Sequence, residues 1–289
     1  MLRSLNLIQP TTVQEASQAL AEFGDKAKLY AGGAELLLLL RNRLIDAEVL
    51  IDVKQIDRLR RLDSHNGALR VGACLTHQEL ANNAAIRERV PAFAYAESQV
   101  ANIRVRNQGT LGGNLAFNDP HSDPGTVLLV HNASVTIGNA RGERRLALDE
   151  FFVDMYSTAL EPGELLLEVE IPSLPAGMTS SYLRLHRYQR PTLGVAAAAR
   201  ITNGIIDEAR LAVGCIGPKA QRLAELEAKI IGTSLSDVKT ILAGKKTYLR
   251  ELLQPVDDLL GSAEYKLYMT GVMLGDALAQ TSQRNIAAH

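Results

Sequence analysis

Two glycine-rich segments are the part of the sequence best suited to chemistry. The first glycine segment (residues 31–35) reads Ala31, Gly32, Gly33, Ala34, Glu35, and the second glycine segment (residues 110–114) reads Thr110, Leu111, Gly112, Gly113, Asn114. Because glycine lacks a Cβ, its N–H group can approach a ligand closely, and successive N–H groups in a turn form a nest for an anion. Two nests could hold one diphosphate between them, so the expected ligand is a dinucleotide. Taken alone, either glycine pair is also typical of an ordinary turn.

Other chemical sites are not indicated. There is no G-x-G-x-x-G or G-x-S-x-G pattern, and Gly244-Lys245-Lys246 lacks both the upstream glycine and the following hydroxyl of a P-loop. Cys74 and Cys215 stand far apart in the chain, and the six histidines form no pair at ligand spacing. We therefore expect no metal site, disulfide or iron–sulfur cluster within this chain.

The composition is that of a folded protein without a strongly charged partner. The chain has 289 residues, 46% of them hydrophobic, and a net charge of −1. This length suggests about two domains, and the even charge argues against nucleic acid, whose phosphates require a basic face. The longest aliphatic run, residues 36–40, is far shorter than the roughly 20 apolar residues of a membrane span. We expect this run in the core, no membrane span and, without a signal-peptide pattern, a cytoplasmic location.

Periodicity predicts mixed helices and strands, beginning with a helix over 13–23 that a capping box of Thr12 and Glu15 starts. The first glycine segment falls between a predicted strand and a predicted helix, whereas the second follows a basic loop. Further predictions are strands at 28–31, 49–53, 67–72, 134–137, 165–171, 181–186, 195–201 and 209–216, and helices at 35–43, 92–102, 219–230, 236–243 and 262–281, the last with Ser262 as N-cap. Prolines and a glycine between 171 and 177 indicate a linker. The pattern favours an α+β chain with a smaller second domain.

A series of motifs accompanies the glycine segments. They are Ile103 to Asn114, Asn118-Asp119-Pro120-His121-Ser122-Asp123, Thr158 with Leu160 to Leu166, Val169 to Pro172, Tyr182-Leu183-Arg184, Gly214 to Pro218 and Ser262 to Lys266. In this order they resemble the medium, FAD-binding subunit of molybdenum-containing hydroxylases. That family includes the medium chains of carbon monoxide dehydrogenase and of quinoline and nicotine oxidoreductases, and the flavin domain of xanthine dehydrogenase. The similarity extends over nearly the whole chain.

The resemblance implies an α+β fold with a FAD-binding domain of the vanillyl-alcohol-oxidase (PCMH) type, built from two subdomains, over residues 1–174. A smaller α+β C-terminal domain, an antiparallel sheet with helices, would span 175–289. The cofactor-binding residues that it implies are Ala31, Gly32, Gly33, Ala34, Glu35, Thr110, Leu111, Gly112, Gly113, Asn114, Asp123, Leu166 and Arg184. Many members carry His or Thr and then Ser or Asp where Ala34 and Glu35 stand here, so one side-chain donor near the phosphates is absent.

By the same resemblance the chain is an FAD-binding electron-transfer subunit that has no catalytic residues of its own. A large partner subunit would hold the molybdenum cofactor, a small one two 2Fe–2S clusters, and electrons would pass through FAD to a soluble acceptor. We expect non-covalent FAD, since neither glycine segment carries a His or Cys tether. We also expect the complex to assemble as a dimer of heterotrimers. Two alternatives stay open: a self-contained FAD-dependent enzyme of the same superfamily, and an assembly subunit that has lost flavin.

Several residues near these motifs also have purely structural interpretations. Asp123 precedes a proline and could cap a helix, with or without a flavin contact. Arg104 and Arg106 are expected to bind neighbouring carbonyl groups rather than phosphate. His77 is expected at the start of a helix. Tyr188 would either shield the flavin ring or pack between the domains.

Overall fold

The N-terminal part of the chain forms a small parallel sheet, in a computed structural model that describes residues 4–186 and 190–287. Its three strands lie in the order β1-β3-β2. They are β1 (Asn6–Ile8), β2 (Ala27–Tyr30) and β3 (Val49–Asp52), joined by α1 (Val13–Phe23) and α2 (Leu36–Arg41). The capping box that begins α1 is confirmed, because Thr12 accepts the N–H of Glu15 while the Glu15 carboxylate accepts the N–H of Thr12.

An antiparallel five-stranded sheet follows, in the order β4-β5-β10-β6-β7. Its strands are β4 (Leu62–His65), β5 (Ala68–Gly72), β6 (Ser134–Asn139), β7 (Gly142–Ala147) and β10 (Leu165–Ile171), and a separate hairpin joins β8 (Phe152–Asp154) to β9 (Ser157–Thr158). The bounds of β10 coincide with the predicted strand at 165–171. β10 lies at the centre of the sheet, and its bulge between Leu166 and Glu168 lies in the pairing with β6.

Seven helices of the described residues belong to this region. They are α3 (His77–Asn82), α4 (Ala84–Arg89), α5 (Pro91–Gln99), α6 (Ile103–Gln108), α7 (Leu111–Phe117), α8 (Pro124–Val130) and α9 (Leu148–Phe151). The predicted basic loop is wrong, because those residues form α6, which the side chain of Asn102 caps by accepting the N–H groups of Arg104 and Val105. The second glycine segment is likewise the beginning of a helix, α7, which Thr110 caps.

The C-terminal part is an antiparallel sheet covered by helices, as predicted. Its strands, in the order β11-β12-β13-β14, are β11 (Thr179–His186), β12 (Pro191–Thr202), β13 (Ile205–Gly214) and β14 (Gln221–Arg222), and its helices are α10 (Ala224–Ile230), α11 (Val238–Ala243), α12 (Lys246–Leu253) and α13 (Ala263–Ala287). The Ser262 hydroxyl accepts the N–H of Tyr265, which confirms this cap. The predicted helix over 219–230 is wrong at its start, because β14 forms there and α10 begins only at Ala224. Helix α12 was not predicted.

Strand β12 separates two hydrophobic cores. Ala196 and Ala198 belong to the core of the first part, whereas Val195, Ala197 and Ala199 belong to the core of the second. Successive side chains of a strand point to opposite faces, so this alanine-rich strand is buried on both sides. The two parts therefore share a wall, although the predicted limits 1–174 and 175–289 remain a prediction. No helix among the described residues is long and apolar enough to span a membrane.

Candidate functional site

A cavity of about 580 Å³ lies where the two sheets of the first part and the C-terminal sheet meet. This volume is within the usual range for a cofactor pocket. Eleven of the thirteen predicted site residues line it: Ala31, Gly32, Gly33, Ala34, Glu35, Thr110, Gly112, Gly113, Asn114, Asp123 and Leu166. The fold thus brings together residues that are up to 135 positions apart in the chain (166 − 31). Leu111 and Arg184 lie outside the cavity lining.

The first glycine segment presents unused donors to this cavity. Within residues 4–186 and 190–287, the N–H groups of Gly32, Gly33, Ala34, Glu35 and Leu36 donate to no protein group. Gly33 has φ +74°, and a Cβ there would overlap the Tyr30 ring, so only glycine suits this turn. Successive free N–H groups are the donors that an anion requires. The first nest of the sequence prediction is therefore present.

In the second glycine segment four of the five N–H groups, those of Leu111 to Asn114, are already used within the protein, so the prediction of a second nest is wrong. The N–H of Leu111 donates to Leu75 O, that of Gly112 to Ala73 O, that of Gly113 to Thr110 Oγ1 and that of Asn114 to Thr110 O, at distances of 2.8 to 3.1 Å. Gly112 is required for packing, since a Cβ there would lie 2.7 Å from Ala73 O. The segment instead places the Asn114 side chain at the cavity, where Asn114 Oδ1 accepts a hydrogen bond from Ser122 Oγ.

The two glycine segments touch through Gly32. A Cβ on Gly32 would overlap the carbonyl oxygen of Gln108 and lie 2.9 Å from Cα of Gly109. The absence of a side chain at residue 32 therefore allows the backbone that precedes the second segment to approach the first. This contact joins the two walls of the cavity, which the spacing of the motifs in the sequence could not show.

Part of the cavity lining is apolar, and the sequence did not indicate that these residues belong to a site. It is lined by aliphatic side chains of β2, α2 and the segments after β3: Leu29, Leu36, Leu39, Val53 and Leu59. The aliphatic run 36–40 was predicted to lie in the core, yet Leu38 is 48% exposed and only Leu40 is buried. The run is better explained as a cavity wall, because Leu36 and Leu39 are three positions apart and share one face of the helix.

Another part of the cavity lining is polar and charged. Arg190 Nη2 donates to Asp119 Oδ2 at 3.1 Å, and the N–H of His121 donates to Asp119 Oδ1 at 2.9 Å. Burial by itself would raise the pKa of Asp119, but the hydrogen bonds from His121 and the charge of Arg190 outweigh it, and the pKa is lowered. Burial, with the charge of Asp119 second, raises the pKa of Glu35. The sequence analysis gave Asp119 and Arg190 no role at the site.

Asp123 links the first part to the C-terminal sheet. Its side chain caps no helix, contrary to the structural interpretation; instead Tyr182 donates to Asp123 Oδ1 at 2.6 Å, and Arg184 Nε lies 3.2 Å from the same oxygen. Burial raises the pKa of Asp123, and the Arg184 guanidinium partly opposes this rise. Arg184 also donates to Gln99 O at 2.6 Å. Arg184, predicted to bind the cofactor, does not line the cavity, and its guanidinium pairs with Asp123 instead; its contact with the cofactor stays a prediction.

The remaining expectations concern single side chains. Leu166 is buried and lines the cavity from β10, whereas Leu111 is fully buried in the core beneath α7. Arg106 binds protein groups as expected, donating to Gln78 Oε1 and to Val100 O. His77 begins α3 as expected. Tyr188 lies outside the described residues.

The residues present fit a dinucleotide. The first glycine segment supplies donors for a diphosphate, the apolar part of the lining can cover a flat ring system, and the polar part meets the C-terminal sheet. Only the side-chain donor at residue 34 is lacking, because Ala34 replaces it. A cavity lined by aliphatic side chains, by free backbone donors and by charged groups suits a ligand of that composition.

Comparisons with known proteins agree with this geometry. Residues 3–174 match the model of the FAD binding domain in molybdopterin dehydrogenase, and residues 182–281 match the CO dehydrogenase flavoprotein C-terminal domain. The chain is 30% identical to the carbon monoxide dehydrogenase medium chain of Hydrogenophaga pseudoflava, over 93% of this chain and 94% of the relative. It is 31% identical to the nicotine 6-hydroxylase medium subunit of Paenarthrobacter nicotinovorans, over 92% and 93%. A solved structure of the Hydrogenophaga pseudoflava carbon monoxide dehydrogenase superposes with a TM-score of 0.92, at 30% identity, covering 98% of this chain and 99% of the other.

Proposed function

The chain belongs to the family of FAD-binding medium subunits of molybdenum hydroxylases, and we propose that it transfers electrons as the flavin subunit of such an enzyme. The predicted PCMH-type FAD-binding fold is thereby confirmed. FAD, bound non-covalently, is the cofactor, and it supplies reversible electron uptake and release that no side chain of this protein can provide. The residues of the chain bind FAD, orient it and exclude water from part of it.

The observation that carries the proposal is the row of N–H groups over Gly32 to Leu36, which line the cavity and donate to no group in the described part of the chain. These donors would hold the diphosphate of FAD, with Thr110 and Asn114 on the opposite wall. Leu36, Leu39 and the other aliphatic side chains would cover the ring at the apolar part of the lining. Asp123 and Leu166 would line the remaining length of the cofactor.

The proposal also includes two partner subunits. The substrate would react at a molybdenum cofactor in a large subunit, and electrons would arrive from 2Fe–2S clusters in a small one. In support, the chain covers more than nine tenths of proteins that are named medium chains or medium subunits. We further propose a dimer of heterotrimers in the cytoplasm, and transfer of the electrons to a soluble acceptor.

The cofactor is tested on the purified full chain. We expect a flavin absorption spectrum and one FAD per chain, released into the supernatant by acid precipitation because no covalent tether holds it. Flavin that stays with the pellet would contradict non-covalent binding, and FMN in the supernatant would contradict a diphosphate site. A chain that binds no flavin would support the alternative of an assembly subunit.

The partners are tested by affinity purification from the native host. Two further subunits should copurify, with iron and molybdenum in the eluate, and the isolated chain should not oxidise heterocycles, aldehydes or carbon monoxide. Oxidation of an organic substrate by the chain alone would favour the self-contained flavoenzyme. The similar length of this chain and of the medium subunits speaks against that alternative.

A further inference from the structure

A buried histidine–glutamate pair stands behind the glycine segments. His77 begins α3, Glu97 lies in α5, and imidazole Nδ1 is 2.5 Å from carboxylate Oε2. The His77 side chain is 3% exposed and that of Glu97 is fully buried. Taking a carboxylate out of water is costly unless a partner compensates it, so a pair this deep in the first core calls for an explanation.

Among residues 4–186 and 190–287, the Glu97 carboxylate has His77 as its one hydrogen-bond partner. Its second oxygen, Oε1, is buried and forms no hydrogen bond within the described part of the chain. Glu97 also lies close enough to Asp123 for its charge to raise the pKa of that residue. Arg184 pairs with Asp123 and Tyr182 donates a hydrogen bond to it. The His77 imidazole is therefore the group that compensates the buried charge of Glu97.

The other nitrogen of the imidazole faces the cavity. His77 is among the residues that line it, and Nε2 has no hydrogen-bond partner among residues 4–186 and 190–287. The absence of a side chain on Gly109 makes room for the ring, since a Cβ there would lie 3.3 Å from Nε2. Gly109 also contacts Gly32, so the ring lies beside the junction of the two glycine segments.

We propose that His77 is a further cofactor-binding residue, whose Nε2–H donates to the diphosphate of FAD, and that Glu97 is its positioning residue. This inference rests on the proposed function. The N–H groups of Leu111 to Asn114 are already used within the protein, so a side-chain donor such as His77 adds what these residues do not offer. An imidazolium between a carboxylate and a diphosphate donates from both ring nitrogens, and a charged donor binds more strongly than a neutral one.

The test compares two diphosphate ligands on the full chain after removal of flavin. Calorimetry gives the Kd of FAD, and competition gives that of ADP, which has the diphosphate but no flavin ring. We expect His77→Leu to raise both Kd values by the same factor, about tenfold to a hundredfold, as for the loss of a charge-assisted hydrogen bond. His77→Gln, which keeps a neutral donor, should give a smaller increase. The control His65→Leu changes an exposed histidine on β4 and should leave both values unchanged.

Glu97→Gln tests the positioning role, because it preserves shape while removing the charge. Both Kd values should rise several-fold, and the ¹⁵N resonances of His77 in the ADP complex should shift from their wild-type positions, because Nδ1 loses its charged partner. Unchanged affinities in His77→Leu, or a weaker FAD complex with ADP unaffected, would overturn the inference. Failure of the wild-type chain to bind FAD would instead overturn the proposed function.

Discussion

The two glycine segments share a Gly-Gly pair but have different physical tasks. In the first, five successive residues line a cavity and their N–H groups donate to no group of the described chain, whereas in the second every N–H from Leu111 to Asn114 donates to a protein oxygen. The first segment is an open turn with Gly33 at positive φ. The second is the first turn of α7, and its Gly112 allows close packing on Ala73. Glycine can thus serve ligand approach or backbone packing, and only the hydrogen-bond partners distinguish the two.

The largest effect is expected where the two segments meet. In Gly32→Ala the new methyl group would overlap Gln108 O and push the segments apart. We expect the Kd of FAD to rise by about a hundredfold, equivalent to the loss of one strong hydrogen bond to a charged group. Calorimetry on the flavin-free chain measures this. Gly244→Ala is the control, because the nearest atom to a Cβ there is 3.5 Å away. If the Kd of Gly32→Ala for FAD stays within threefold of wild type, the contact between the two segments is not needed for binding.

Neighbouring glycines of the second segment should behave differently. In Gly112→Ala the methyl group would lie 2.7 Å from Ala73 O, and we expect the free energy of unfolding to fall by about 1–3 kcal/mol or more through overpacking. In Gly113→Ala the atom closest to the new methyl group would be Thr110 Oγ1, which caps the helix. Because the higher helix propensity of alanine offsets the disturbed cap, the free energy of unfolding should change by no more than about 1 kcal/mol. Denaturant unfolding of both variants measures the difference. Equal losses would show that packing is not the task of Gly112.

A smaller effect is expected from the carboxylate of the first segment. Glu35 stands within the row of free N–H groups and its charge repels a diphosphate, so Glu35→Gln should lower the Kd of FAD by about two- to fivefold at neutral pH. The pKa of Glu35 is raised by burial and by Asp119, with Arg190 opposing. Wild-type affinity for FAD should therefore increase as the pH falls through that raised pKa and the carboxyl becomes neutral. In Glu35→Gln this pH-dependent increase in affinity should be absent. Glu22→Gln, at an exposed position of α1, is the control.

The smallest effect concerns the donor that the family often has and this chain lacks. Ala34→Ser would add a hydroxyl group beside the free N–H groups, and we expect the Kd of FAD to fall by about threefold, the lower range for one neutral hydrogen bond. Ala34→Gly removes the methyl group without adding a donor, and should not tighten binding. A serine variant that binds FAD no better than wild type would place the diphosphate away from residue 34.

Local patterns predicted most of the elements correctly. The capping box at Thr12, the strand at 165–171 and the cap at Ser262 depend on neighbouring residues and on alternation, which the sequence displays directly. The prediction of a loop before the second glycine pair was wrong, because this segment forms a helix that depends on the Asn102 cap and lacks an apolar stripe. Leu36 and Leu39 were assigned to the core because hydrophobicity alone does not distinguish a core from a cavity wall.

The sequence by itself therefore determined the family, the α+β class and a set of site residues of which eleven out of thirteen line the cavity, because glycine turns, caps and ordered motifs are local properties. Only the tertiary structure decided which N–H groups remain free. Leu111 and Gly112 donate to Leu75 and Ala73, oxygens almost forty positions away that lie within reach only after the chain folds. The same holds for Arg184, which pairs with Asp123 across the two parts of the molecule. A hydrogen bond depends on distance in space, and the spacing of residues along the chain does not contain that distance.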